Sequence, residues 1–174
     1  VIHYTLDGRE PTESSPVYSG PLTLTDRVGD PEVYALIRTN PLTTGMYAWR
    51  LPRAPITKIN VVRARAFAAG YQTGSFFIGN RVADNGPYPV VSLVTEPDNL
   101  FRHDIGIYVP GDTYTGGNSG NYFMEGDAWE RPVHVEIFNQ DGSLALTQDT
   151  GMRISGGATV AFPQKSLKLY ARDE

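Results

Sequence analysis

Short β-branched or aromatic runs, several of them alternating polar and apolar residues with period two and bounded by Gly, Pro, Asp and Asn, predict strands in this chain. His3-Tyr4-Thr5-Leu6 runs into the turn signal Asp7-Gly8, and Leu22-Thr23-Leu24-Thr25 alternates after Gly20-Pro21. Asn60 to Phe67 alternates cleanly, ends at Gly70 and precedes Ser75-Phe76-Phe77-Ile78. Val90 to Thr95 is continuously apolar enough for a buried strand. Val133 to Phe138 and Leu144 to Thr147 flank Asp141-Gly142, which predicts an antiparallel hairpin, and Met152-Arg153-Ile154 and Ser166 to Ala171 supply two further strands. Helix signals are few: Pro97 to Phe101 suits a single turn with Asp98 near its start. Residues 27–56 hold Pro31, Pro41, Pro52 and Pro55 with Tyr34, Tyr47 and Trp49 among them, which reads as a long ordered excursion and not a linker.

Composition narrows the class. The 174 residues include 18 glycines and 13 prolines, too much punctuation for a helix-rich fold, while 40% hydrophobic and 20% charged residues argue against disorder throughout. Residues 80–88, with Asn80, Asp84, Asn85-Gly86 and Pro87, form a turn-rich bridge. Charge shifts there: eight of the 15 basic but only six of the 19 acidic residues precede Asn80. The expected map is a first β unit over 1–79, a linker over 80–88 and a second part over 89–174. With net charge −4 and no basic stripe, nucleic acid is a poor partner. No apolar run approaches the roughly 18 residues of a membrane helix, and the absence of cysteine removes disulfides and thiolate chemistry. The chain opens inside a strand at Val1 and stops after Asp173-Glu174 without a turn, so both ends read as cuts in something longer.

Two segments carry family resemblances. His3-Tyr4-Thr5-Leu6-Asp7-Gly8, Glu10-Pro11-Thr12, Ser15, Tyr18 and Gly20-Pro21, with Val62-Arg63-Ala64-Arg65-Ala66-Phe67-Ala68-Ala69-Gly70 later, resemble the C-terminal sandwich domain of chitobiases and hexosaminidases. That resemblance implies an incomplete immunoglobulin-like β-sandwich over 1–79, lacking the strands that normally precede the signature. Val91-Ser92-Leu93-Val94-Thr95-Glu96-Pro97-Asp98-Asn99-Leu100-Phe101, Gly106-Ile107-Tyr108-Val109, Asn121-Tyr122 and Trp129-Glu130-Arg131-Pro132-Val133 come next. With Gly151-Met152-Arg153-Ile154-Ser155-Gly156-Gly157 and Phe162-Pro163-Gln164-Lys165-Ser166-Leu167-Lys168-Leu169, they resemble the front part of the CotH family of bacterial spore-coat and surface proteins. The resemblance implies the β-rich opening of a kinase-like α+β domain, dependent on ATP and magnesium in the complete protein, with Lys165 in the place of the family's phosphate-contacting lysine. Gln164 stands where members commonly have a second basic residue. The family's catalytic and metal-binding acids come after the end of this chain, so none is expected within it, and ATP is not expected to bind it tightly. An exported, surface or spore-coat location and coat or surface protein substrates follow from the same resemblance.

The residues themselves leave alternatives. Counting by twos from Lys165 reaches Leu167, Leu169 and Ala171, which puts the ammonium on the apolar face of its strand. Either it faces a nucleotide cleft, or its stem covers apolar surface while its head reaches water. Gly156-Gly157 is not a Walker loop, because Pro163-Gln164 precede the lysine and a strand follows it. Ser155 to Phe162 could still cover phosphates with backbone N–H groups, with Arg153 as a second cation at its base, or could be a ligand-free hairpin beside a solvated arginine. The glycine-rich stretch Gly111 to Asn121 carries the same ambiguity. His3, His103 and His134 share no metal-ligand spacing, and Gly117-Asn118-Ser119-Gly120-Asn121 fails as a nucleophile elbow. Glu125, Asp127 and Glu130 are expected to face solvent. A different class of function is a non-catalytic carbohydrate- or surface-binding module in which Tyr34, Tyr47 and Trp49 stack on sugars; the same rings could equally pack the excursion against the sandwich.

Overall fold

A computed structural model describes residues 1–67, the backbone of 70–76, and 88–171. It is mainly β, as the sequence implies. Among the described residues seven strands, β1 (Ile2–Thr5), β2 (Asn60–Ala66), β3 (Gly70–Phe76), β4 (Val90–Val94), β5 (Arg131–Phe138), β6 (Leu144–Ser155) and β7 (Ser166–Tyr170), accompany one short α-helix, α1 (Pro97–Phe101). They form a three-stranded sheet in the order β1-β2-β3 and a four-stranded sheet in the order β4-β5-β6-β7. The bridge at 80–88 lies outside the described residues except for Tyr88, as do Phe77 and Ile78.

The chain divides into two compact units that do not follow its order: 1–30, 57–96 and 133–149 form one, and 31–56, 97–132 and 150–174 the other. The excursion, which the sequence map places within 1–79, is therefore part of the second unit. Strands β5 and β6 run through both.

In the first unit β1 pairs antiparallel with β2, Ile2 opposite Ala66 and Thr5 opposite Arg63. The segment after the Asp7-Gly8 turn returns along β1, where Tyr4 N–H donates to Pro16 O at 3.0 Å and Tyr18 N–H to Ile2 O at 2.8 Å. Arg63, only 4% exposed, ties this motif together. Its guanidinium donates to Gly8 O at 3.0 Å and to Glu10 at 3.2 Å, and it lies 3.5 Å from Glu96, which also accepts the Glu10 N–H. A buried arginine with carboxylate and carbonyl partners recovers part of its desolvation cost. Spacing had not revealed this link between the Asp-Gly turn and the Val62 to Phe67 run.

Three strand expectations need correction. Leu22 to Thr25 forms no strand: its side chains alternate in exposure, but no ladder among the described residues pairs with it, and Thr25 O is bonded by the Asn60 side chain at 3.0 Å. Gly70 starts β3 opposite Ala66 instead of ending a strand. Val90 to Val94 is not buried throughout, since Ser92 and Val94 face inward while Val91 is 53% exposed. The hairpin forms as expected around Gly142, whose φ of +83° suits its turn position, and Asn139 N–H donates to Ser143 O at 2.8 Å. Beyond it β6 continues unbroken through Met152-Arg153-Ile154 to Ser155.

The second unit has its core in Ile107, Tyr122 and Met152, with Ala48, Val109 and Val160. Within it the excursion is anchored by a wholly buried Asn40, whose amide donates to Tyr47 O at 2.7 Å and Ala161 O at 3.1 Å. Thr39 donates to Pro163 O at 2.6 Å, and the Tyr47 ring stacks on Phe162 at 4.0 Å. Tyr47 is thus a packing residue, and its partner comes from the end of the chain.

Candidate functional site

The site grows out of the turn between β6 and β7. Gly156, with φ +132°, takes the chain out of β6 at a backbone conformation that disfavours other residues. Ala158–Ala161 then makes one 3-10 turn, and Phe162 before Pro163 is extended, as a pre-proline residue prefers to be. That path brings Lys165 back under the loop it has just left. Its Nζ donates to Val160 O at 2.8 Å and to Phe162 O at 2.7 Å, and its backbone N–H donates to the Tyr108 hydroxyl at 2.9 Å. The ammonium lies 4.0 Å from the centre of the Tyr122 ring and 5.6 Å from that of Tyr108, both within cation–π reach.

Lys165 is 6% exposed, and among the described residues no carboxylate pairs with it. Burial pushes its pKa down to about 7, because a low-dielectric surrounding penalises the charged form. The geometry accommodates the neutral amine as well, whose two N–H groups match the two carbonyls. Burial also raises the Tyr122 hydroxyl, with a further contribution from Tyr114. Of the two alternatives left by the sequence, the one in which the lysine head reaches water is excluded by this enclosure. The expected apolar face is also broken, for Leu169 is 39% exposed on β7, the edge strand of its sheet.

The other three residues read as phosphate contacts fall around this turn in different states. Gly156 and Gly157 shape the loop, and Gly157 O accepts the Val160 N–H at 3.2 Å. The loop presents carbonyls to the lysine. Arg153, expected either as a second cation or as a solvated arginine, is engaged by carboxylates: it donates to Glu130 at 2.7 Å and to Asp127 at 2.5 Å and packs 4.4 Å from the Tyr170 ring centre. Glu130 first, through its hydrogen bond, holds the guanidinium more firmly protonated. Asp127 faces solvent as expected, but the Glu130 side chain is only 15% exposed. Gly151 makes that burial feasible, since a Cβ there would fall 1.8 Å from the Glu130 carboxylate.

Asn121 is the residue that spacing missed. It is 1% exposed and donates to His103 O at 2.9 Å and Gly106 O at 3.0 Å, while its side-chain oxygen accepts the Thr113 hydroxyl at 2.9 Å. Gly111, with φ +61°, lets the chain pass so close that a Cβ would fall 2.0 Å from the Asn121 amide. The stretch from Gly111 to Asn121 is therefore pinned at both ends. Its sequence signals are the glycine-rich loop that precedes it and the Asn121-Tyr122 pair of the second resemblance, neither of which assigns the asparagine a bonding role.

Elsewhere in this unit Tyr34, Trp49, Phe101 and Tyr108 line an open groove of about 520 Å³. Tyr34 stacks on Phe101 with ring centres 5.4 Å apart and planes 11° from parallel. The histidines are all bonded locally, His3 to Ser15 O, His103 to Asp112 and His134 to Asp149. Among the described residues no group of three or more acidic or histidine side chains could hold a metal ion, and no helix is long and apolar enough to cross a membrane.

Residues 1–29 match the family described as the Chitobiase/beta-hexosaminidase C-terminal domain. That match covers the segment containing Tyr4-Thr5-Leu6-Asp7-Gly8 and Glu10, the turn whose carbonyl and carboxylate Arg63 binds. No curated protein and no solved structure matches the chain.

Proposed function

We propose that the chain is a fragment of a CotH-like bacterial surface or spore-coat protein, exported from the cell, whose complete form is a protein kinase dependent on ATP and magnesium. The observation that carries this reading is Lys165, a cation withdrawn from water with no carboxylate partner among the described residues, at the foot of β7 and under a glycine-bearing loop. Phosphate oxygens are the partners such an ammonium lacks. As folded, these residues do not form an open phosphate cradle: the ammonium is held by two carbonyls, and Arg153 is engaged by Glu130 and Asp127. Nucleotide contact therefore belongs to the complete domain, where Lys165 would exchange the Val160 and Phe162 carbonyls for phosphate. ATP with magnesium would supply the phosphoryl group there, for transfer to coat or surface proteins. The 174 residues alone are non-catalytic in this reading.

The test is phosphate transfer by the complete protein and by its Lys165→Ala variant. A loss on the order of a hundredfold with an unchanged circular dichroism spectrum supports the role, by analogy with other charge-stabilising groups. Equal activity refutes it.

A second reading is favoured by the groove of Tyr34 and Trp49 and by the match of residues 1–29 to a domain named after sugar-cleaving enzymes. In it the chain serves as a carbohydrate- or surface-binding β module. Saturable binding of oligosaccharides, lost in Tyr34→Ala, tests it.

A further inference from the structure

The described arginines are not equally engaged. Arg27, Arg63, Arg102 and Arg153 each meet a carboxylate within 3.5 Å. Arg38, Arg50 and Arg53 are exposed and have no carboxylate partner among the described residues. Arg38 lies over the Trp49 ring at 6.0 Å, and Arg50 reaches only the Gly45 carbonyl at 3.5 Å. All three belong to the excursion that supplies Tyr34 and Trp49 to the groove, and Arg50 is itself part of the wall. No carboxylate lines that wall, and its other polar side chains include the exposed amide of Gln164.

The groove thus combines flat rings with one cation, Arg50, that has no carboxylate partner among the described residues, while Glu32 is bonded to the N–H of the lining Ile56 at 3.0 Å. Tyr34 is 42% exposed, and its stacking on Phe101 fixes the plane it offers. A fixed aromatic face suits the apolar C–H face of a pyranose ring, while a guanidinium suits the two oxygens of a carboxylate. The volume of about 520 Å³ falls within the range of roughly 300–1,000 Å³ typical of small-molecule sites.

We propose that this groove binds an acidic saccharide, a uronate-bearing oligosaccharide stacked on Tyr34 and Trp49 with its carboxylate on Arg50. Arg38 and Arg53 add positive potential that draws the anion in. The inference rests on the second reading above and deepens it by assigning the charge class of the sugar. Charge complementarity argues against a neutral glycan, and the rigid ring platform argues against an extended acidic peptide.

Calorimetric titration of the intact 174-residue chain with trigalacturonate, cellotriose and hexaglutamate tests it. Trigalacturonate should bind saturably, about tenfold more weakly in Arg50→Gln, as expected for the loss of one charge-assisted pair. It should bind more weakly still as sodium chloride rises. Arg50 is an exposed side chain, so Arg50→Gln leaves the fold intact. Equal binding of cellotriose, insensitive to Arg50→Gln, overturns the inference while leaving the glycan-binding reading standing. Equal binding of hexaglutamate overturns it in favour of an acidic peptide. Failure of both sugars to bind overturns the inference and the second reading together.

Discussion

Replacing Lys165 by methionine should remove a pH dependence from the stability of this chain. In the folded protein burial lowers the lysine to about 7, from an ordinary value of 10.5 that the unfolded chain restores. Between those two values the unfolded state holds the proton that the folded state has released, so stability rises with pH across this window. Below about 7 the lysine is protonated in both states and the slope vanishes. Within the window the slope approaches about 1.4 kcal/mol per pH unit, which gives roughly 2 kcal/mol between about pH 7.5 and 9.5. The neutral amine can still donate to both Val160 O and Phe162 O, so deprotonation need not orphan either carbonyl. Tyr122 acts in the opposite sense, because its raised pKa removes stability as the pH passes its ordinary value of 10.0, and the range chosen ends below that point.

Urea unfolding of the two proteins across that range is the assay. The constant offset between them mixes lost carbonyl bonds with relief of burial; the change of the offset with pH isolates the ammonium. At a slope of about 2 kcal/mol per molar urea, the midpoint difference should drift by about 1 M in favour of the lysine protein as pH rises. The opposing forces are real: two charge-assisted bonds at about 1.5–3 kcal/mol each and a ring contact of about 1–2 kcal/mol favour the charged form. If the midpoint difference stays flat, those contacts have held the lysine at its ordinary pKa, and the reasoning from burial fails.

Three further outcomes are expected. Asn121→Ala should cost about 2–4 kcal/mol in denaturant titration, since it removes an amide from between two buried carbonyls; a loss below about 0.5 kcal/mol would show that the pin is dispensable. Glu130→Ala should cost more than Asp127→Ala in denaturant titration, because it removes the 15% exposed carboxylate from Arg153, whereas Asp127→Ala, at an 89% exposed side chain, should cost under about 0.5 kcal/mol; similar losses would refute the division between them. The 174 residues mixed with ATP and magnesium should transfer no phosphate and bind weakly, because Lys165 and Arg153 are already engaged; micromolar binding by calorimetry would relocate the nucleotide site into this chain.

The strands were legible where alternation coincided with a ladder partner, and misread where it did not. Asn60 to Ala66 has partners on both sides, and the hairpin around Asp141-Gly142 is set by local turn chemistry. Leu22 to Thr25 alternates just as well, yet pairing is a tertiary matter that four residues cannot announce. Val90 to Val94 shows the limit of composition: an apolar run looks the same whether one face or two are covered, and here Val91 is left outside.

At the candidate site, sequence located the lysine and misjudged its surroundings for one physical reason. The partners that decide the state of a cation cannot be read from its spacing in the chain. Arg153 is neutralised by Glu130, 23 positions earlier and opposite the glycine that makes room for it, so its spacing from Gly156 carried no information about its charge. Lys165 meets Tyr122 and Tyr108, while its nearest bonds are to carbonyls three and five positions back, groups that every residue possesses and no motif can flag. The excursion follows the same logic: Tyr47 is spent on packing because Phe162 returns to meet it, while Tyr34, stacked on Phe101, and Trp49, with the Arg38 guanidinium 6.0 Å from its ring centre, line the groove. A residue type suggests what chemistry is available. Whether that chemistry is already satisfied within the chain depends on folded contacts, and these separate Arg50, which reaches only the Gly45 carbonyl, from Lys165 and Arg153, which are engaged by carbonyls and carboxylates.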